Sequence, residues 1–280
     1  MTTVDPHLPS PLPLDDGEAR AGERDLPGEL PDEAYATCLA GLPGMGPNRL
    51  AAILHTDGPR HGWERLVRGQ GWADPTVVEA LGPQAVRLTR QWQRAAREVD
   101  PHAEWHRVRA LGIGVAALGS PAYPPVLAAD VEPPAVLFFL GDPEVLTRPR
   151  VAIVGTRRCT NVGAGVAREI GCDLAAAGVA VVSGLASGID GAAHRGALDG
   201  AAPPIGVAGS GLDVIYPAGN ADLWHAVARN GLLVSESPPG VRPERWRFPA
   251  RNRIIAALAD AVIVVESHAR GGSLHTVDEA

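Results

Sequence analysis

VAIVGTRRCTNVGAGVAREIGCDLAAAGVAVVSGLASGIDGAAHRGALDG, residues 151–200, is the stretch that decides the fold. It begins with VAIVGTR (151–157), a β-branched apolar run that passes straight into a small-residue turn. A helical segment follows at 162–178, and then VAVVSGLASGID (179–190) repeats the strand-to-turn pattern ahead of a second helical segment, 191–200. Short, continuous apolar strands suit burial on both faces, the condition of a parallel sheet. Outward from this unit the alternation continues. PIGVAGSG (204–211) is a strand into a turn, DLWHAVARNG (222–231) a helix, LLVSESP (232–238) a strand, and AVIVV (261–265) a strand expected to be buried on both faces. Upstream, GIGVAALG (112–119) and Ala135–Leu140 also read as strands, separated by a proline-rich passage. Strands alternating with helices predict an α/β fold, an extended Rossmann-like parallel sheet covered by helices, over residues 110–280.

The rest of the chain has a different texture. Residues 31–109 carry helical spacing and predict a small all-helical domain. Within it, LPGMGPNRLAAIL is similar to a helix-hairpin-helix, whose turn presents backbone N–H groups to a DNA phosphate; a plain helical hairpin with a glycine turn fits the same residues. Residues 1–30 are rich in Pro, Asp, Glu and Gly and predict a disordered tail.

Composition excludes several classes. The 280 residues hold no apolar run long enough for a transmembrane helix, and the N-terminus has no basic start followed by an apolar stretch, so neither a membrane span nor a secretory signal is expected. Cys38, Cys159 and Cys172 are odd in number and lack CxxC spacing. No disulfide framework or zinc site is expected, and a reducing cytoplasm fits best. Of the net charge of −7, residues 1–30 account for −5, with seven Asp/Glu against Arg20 and Arg24. All 25 basic residues are arginine, the side chain suited to bidentate phosphate contacts and to stacking on bases.

Three successive strands end in small-residue turns, VGTRRCT, VSGLASGID and VAGSGLD. Ligands of open α/β sheets bind beyond the carboxyl ends of the strands, where glycine admits close approach of backbone N–H groups and helix N-termini favour anions. An anion-binding edge is therefore expected at Gly155, Thr156, Arg157, Arg158, Ser183, Gly184, Gly188, Gly209 and Gly211. The glycines of GAGVAR (163–168) lie inside a helix and not in the dinucleotide position, so no nicotinamide cofactor, and no other cofactor or metal, is expected. Ser183, Asp190 and His194 lack the context of a nucleophile elbow. Asp190 and His194 stand four apart on one helix and are expected to pair with each other and buttress the turn, a structural role.

Arg242, Arg245, Arg247, Arg251 and Arg253 lie within 12 residues, opposed only by Glu244 and interleaved with Trp246 and Phe248. Arginine for phosphates beside an aromatic platform for a base is the chemistry of single-stranded nucleic-acid binding. The stretch reads as a loop leading into a helix at 254–259.

GTRRCT, VSGLASGIDGAAHRGAL, GSGLDVIYPAGN, LLVSESPPG and FPARNRIIAALADAVIVVE, in this order and spacing, closely resemble the DNA-processing protein A family (DprA, also called Smf), over about residues 151–280. The resemblance implies a Rossmann-like domain that binds single-stranded DNA without catalysis, loads a RecA-type recombinase in natural transformation or recombination, and dimerises. It implies that Arg157, Phe248, Arg251, Asn252 and Arg253 lie in the DNA pocket, with Arg247 alongside. The chain departs from the family pattern at Gly271-Gly272-Ser273, and it stops at Ala280 where members continue, which implies a C-terminal truncation and an exposed sheet edge. The competing expectation is a lysine-decarboxylase-like hydrolase of nucleoside monophosphates, loosely echoed by RGGSLHTVDEA with Glu279 as its acid.

Overall fold

A computed structural model of the protein describes residues 29–267 and Thr276. The expectations for residues 1–28, for Gly271-Gly272-Ser273 and for Glu279 fall outside the described residues. Glu29 and Leu30, counted with the tail, are instead held by Arg60, whose guanidinium donates to the Glu29 carboxylate and the Leu30 carbonyl; Leu30 is buried.

The chain enters through six helices: α1 (Asp32–Ala40), α2 (Pro47–Asp57), α3 (Pro59–Val67), α4 (Pro75–Leu81), α5 (Ala85–Glu98) and α6 (Pro101–Ala110). Four of them start on proline, whose fixed φ and missing N–H suit the first helical position. Asp74 and Asp100 cap α4 and α6 by accepting from the N–H groups of Thr76 and His102. Then follow β1 (Gly114–Ala117), α7 (Pro125–Ala128), β2 (Val136–Gly141), β3 (Arg150–Val154), α8 (Asn161–Ala176), β4 (Ala180–Ser183), α9 (Ile189–Leu198), β5 (Ile205–Ala208), α10 (Ala221–Asn230), β6 (Leu232–Ser235), α11 (Arg247–Leu258) and β7 (Ala261–Val264).

The strands form one sheet in the order β1-β2-β6-β5-β4-β3-β7. The five strands from β6 to β7 are parallel, as the alternation predicts. β1 and β2 are antiparallel to each other, and β2 is antiparallel to β6. The sheet is therefore mixed, because the proline-rich passage between β1 and β2 holds only the four-residue α7 and makes no helical crossover. β7 is half-exposed rather than buried on both faces, since it stands at the edge of the sheet and pairs only with β3 among the described residues.

Alternate residues of each strand point into different layers. Ile153 and Val181 pack with α8 and α9, while Ala152, Val154, Val182 and Val207 pack against Ile254, Ile255 and Leu258 of α11. The N-terminal helices do not close a core of their own. A single cluster of buried residues runs from Leu39, Ile53, Leu66 and Trp92 into Val136, Phe138, Leu233 and Trp224. This places the α1–α2 turn beside the carboxyl ends of the parallel strands, near the start of α11.

Candidate functional site

The carboxyl ends of β3, β4 and β5 open onto a cleft of about 650 Å³ beside the first turns of α11. Its residues come from the first two glycine turns and the arginine cluster, while Gly209 and Ser210 of the third turn line an adjoining depression shared with Arg157 and Phe248. The helix starts at Arg247, not at 254, so FPARNR is helical and not a loop. Pro249 is tolerated because its missing N–H falls in the first turn, where no intrahelical partner exists. The consequence is directional: Phe248, Arg251 and Asn252 leave the helix on one side and meet the strand ends.

Arg157, exposed, and Phe248, half-buried, form the rim. The Arg157 guanidinium carbon stands 4.8 Å from the centre of the Phe248 ring, and the Tyr216 ring lies 5.3 Å from Phe248, tilted by 37°. Arg157 and Arg158 are exposed and make no ion pair among the described residues. Gly155, Thr156, Arg245 and Asn252 complete this side, and Gly184 and Gly209 line its deeper end. Tyr216 is a site residue that sequence reasoning missed. Its signal was an aromatic residue in the polar segment after the third glycine turn.

Beneath the rim lies a buried layer. Arg251 is 6% exposed; it donates from Nη1 to the carbonyls of Gly184 (2.7 Å) and Val207, and from Nε to Asn252 Oδ1 (3.2 Å). Arg251 is expected on sequence grounds to hold a phosphate, but Nη1 and Nε are engaged within the protein, because the side chain lies inside the sheet edge. A Cβ on residue 184 would sit 2.5 Å from this guanidinium, so Gly184 is there to admit Arg251. Burial pulls the Arg251 pKa down to about 10, with Arg157 adding to the effect and Asp190 opposing it. Asp190 is also buried, and its carboxyl is pushed up by that burial against the pull of Arg251 and of backbone N–H groups at Ala186 and Gly184.

Asp190 and His194 do not pair. Asp190 turns to the backbone of the preceding turn, while the His194 ring faces the Ser183 backbone. His194 is fully buried, which pushes its pKa down to about 4. Ser183, expected at the anion edge, is likewise buried and donates to the Ile153 carbonyl (2.6 Å), bridging β4 to β3.

Other expected contacts are spent elsewhere. Arg253 faces away from the cleft and pairs with Glu236, each side chain 13% exposed, while also donating to the Glu132 carbonyl. Arg247 donates to Ser237 Oγ (3.2 Å) and lies 4.3 Å from the Trp246 ring. The Gly211 N–H is taken by the Val241 carbonyl. Gly188, at φ +84°, passes so close to the Thr156 and Arg157 backbone that no side chain fits.

Carboxylates of the protein itself stand at or near two of the helix starts on this edge. Glu266 accepts from Thr160 N–H (3.0 Å) and Thr160 Oγ1 (2.9 Å) at the start of α8, and Asp190 sits in the first turn of α9. The start of α8 is therefore already satisfied by Glu266, and the charged groups exposed on the rim are Arg157 and Arg158.

Residues 114–280 match the family described as DNA recombination-mediator protein A. The DNA processing protein DprA of Bacillus subtilis (strain 168) is 41% identical over 173 residues, which cover 61% of this chain and 58% of that protein. A DprA-named protein of Mycobacterium tuberculosis (strain CDC 1551 / Oshkosh) is 39% identical over 238 residues, 81% of this chain and 59% of the relative. The chain thus spans about three fifths of the length of these curated relatives. Among solved structures, DNA processing protein A from Streptococcus pneumoniae superposes with a TM-score of 0.68 at 30% identity, covering 88% of this chain and 81% of that one. Helicobacter pylori DNA processing protein A, whose structure concerns its single-stranded DNA binding mode, superposes with a TM-score of 0.55 at 34% identity, covering 59% and 75%.

Proposed function

The chain belongs to the DNA recombination-mediator protein A family, and from that premise we propose that it is a DNA-processing protein that binds single-stranded DNA at the strand-end cleft with little base preference and performs no chemistry on it. One observation carries the reading: an exposed arginine, Arg157, lies across the Phe248–Tyr216 aromatic pair at the mouth of the cleft. A guanidinium for the phosphate beside a ring for a base suits an unpaired strand, whose bases are free to stack. The start of α8 also favours this reading over a nucleotide hydrolase, since Glu266 already takes the Thr160 donors where a nucleotide phosphate would be received.

In the fuller form of the proposal, the protein protects incoming single strands and passes them to a RecA-type recombinase during natural transformation or recombination. It acts as a homodimer in the cytoplasm, a setting that suits three unpaired cysteines. No helix among the described residues is long and apolar enough to cross a membrane.

The test is fluorescence anisotropy with labelled oligo-dT and with a blunt duplex. Oligo-dT is expected to bind more tightly, with a steep loss of affinity as salt rises. Equal affinity for the duplex, or release of free base from a nucleoside monophosphate, would overturn the proposal.

A further inference from the structure

The cleft is not the only arginine-rich surface. Arg87, Arg90, Arg94 and Arg97 of α5 are all exposed, at spacings of three, four and three residues. At 100° per residue they fall within about 80° of arc, on a face about 15 Å long. The opposite face, Leu88, Trp92 and Ala96, is buried in the helical layer, which fixes the arginines outward. None of the four pairs with a carboxylate among the described residues. Arg87 donates only to the neutral Gln84 side chain (2.6 Å).

The stripe works against its own helix. Like charges three and four apart repel, and the macrodipole that disfavours Arg87 in the first turn favours only Arg97 in the last. A solvated helix face normally intersperses acids, as Glu64 with Arg68 and Glu104 with Arg107 do elsewhere in the helical region; the one acid of α5, Glu98, follows the last arginine and makes no ion pair with any of the four among the described residues. A repeating anion is the partner that this arrangement matches.

The stripe is also joined to the cleft. Pro249 borders both the cleft and a second depression of about 530 Å³, which is lined by Trp246 of the α11 start and by Asn48, Arg49 and Ala80 of the helical layer. Ala80 precedes Pro83 by three residues, at most about 11 Å of chain, and Pro83 begins the groove along the four arginines. Trp246 is 45% exposed between them, an aromatic face on the way. The one acid lining this middle segment is Glu132.

We propose that Arg87, Arg90, Arg94 and Arg97 form a second phosphate-binding track, so that a single strand leaving the cleft at Pro249 crosses Trp246 and runs along α5. This rests on the reading of the cleft as a single-strand site and extends it to longer strands. The helical layer then sets how much strand one protomer covers, while the cleft sets that it is bound at all.

The experiment compares the full chain with a variant carrying Arg87→Gln, Arg90→Gln, Arg94→Gln and Arg97→Gln, using oligo-dT of about 10 and about 40 nucleotides across a salt series. Gln retains helix propensity, and an unchanged circular-dichroism melt is the control for folding. The parent is expected to bind the long strand more tightly than its extra length alone accounts for. The variant should bind the short strand as the parent does, and lose tenfold or more on the long one. Its salt slope on the long strand should fall by about 0.7 for each phosphate contact removed. The four-lysine counterpart, which keeps the charge, should restore most of the long-strand affinity.

Long-strand affinity and salt slope unchanged in the glutamine variant would overturn the track. So would an equal loss on both lengths, which would make the stripe part of general charge attraction. Displacement of the long strand by poly-aspartate as readily as by oligo-dT would assign the stripe to an acidic protein instead. If the parent binds neither oligonucleotide, the reading of the cleft itself has failed, and that result is distinct from all of these.

Discussion

Two groups of arginine meet at the strand ends and do opposite work. Arg251 and Arg253 are inside: one spends its donors on the carbonyls of Gly184 and Val207, the other on Glu236 and the Glu132 carbonyl. Arg157 and Arg158 are outside, with a ring beneath Arg157 and no ion pair among the described residues. The same residue type serves as a strut in one place and stands exposed on the rim of the cleft in the other. A motif rich in arginine is therefore not automatically a motif of phosphate contacts. Most of FPARNR holds the first turns of α11 against β4 and β5, and so aims Phe248 at the rim.

The sharpest way to break this division is Arg251→Ala. Removing the guanidinium leaves Asp190 buried without its neighbouring cation, and leaves the carbonyls of Gly184 and Val207 without a donor. A loss of roughly 2–6 kcal/mol in unfolding free energy is expected, at about 1–3 kcal/mol for each buried carbonyl left unsatisfied. Urea unfolding measures it. A variant as stable as the parent but unable to bind oligo-dT would place Arg251 with the ligand contacts and end the comparison.

His194 tests the buried layer by pH. Its folded pKa of about 4 lies below the 6.5 of an unhindered imidazole, because burial disfavours the charged ring. Between those values the unfolded chain holds the proton and the folded one does not, so stability falls as pH drops from about 6.5 to about 4 and is regained as pH rises. The difference corresponds to roughly 3 kcal/mol. Asp190 acts in the other direction, because acid relieves the cost of its buried charge. Comparison with His194→Gln, which cannot titrate, isolates the imidazole: the parent should lose stability more steeply over that window. Parallel pH curves would mean that the ring reaches water.

How far the sequence carried the reading follows the same division. The strands were legible because β-branched runs such as Val151–Val154 end abruptly at glycine, and the glycine turns were legible because no other residue type suits them. β2 was legible as a strand but its antiparallel direction was not, since its pairing with β6 spans nearly a hundred residues and leaves no local mark. Arg157 was legible as a rim residue by its place just after a strand. The fate of Arg251 was hidden because its partners are backbone carbonyls 67 and 44 residues away, which carry no side-chain signature. Pro249 and the arginines around it read as loop, although a proline in the first turn leaves a helix intact.

On the rim, Arg157→Ala should leave the fold within about 0.5 kcal/mol of the parent, as an exposed substitution does. It should weaken oligo-dT binding by about 1.5–3 kcal/mol through loss of a charge-assisted phosphate contact. Anisotropy and melting on one preparation separate the two effects. A large loss of stability with binding per folded molecule unchanged would move Arg157 to the strut class.

The smallest expected effect is also the most discriminating, because Tyr216 carries no charge at all. Its ring is 39% exposed and leans on Phe248 at 5.3 Å, so it widens the surface on which Phe248 offers a face. If the rim binds by charge alone, Tyr216→Ala changes nothing. If bases stack there, the same change should cost roughly 1 kcal/mol, the low end for one aromatic partner of a base, because Phe248 remains. Tyr216→Phe keeps the ring and drops the hydroxyl, so it should bind as the parent does. The salt slope should be the same in all three proteins, since no phosphate contact is removed. A reduced slope in Tyr216→Ala would mean that the ring serves by holding Arg157 in place, and the rim would then be a phosphate site with an aromatic support rather than a platform for bases.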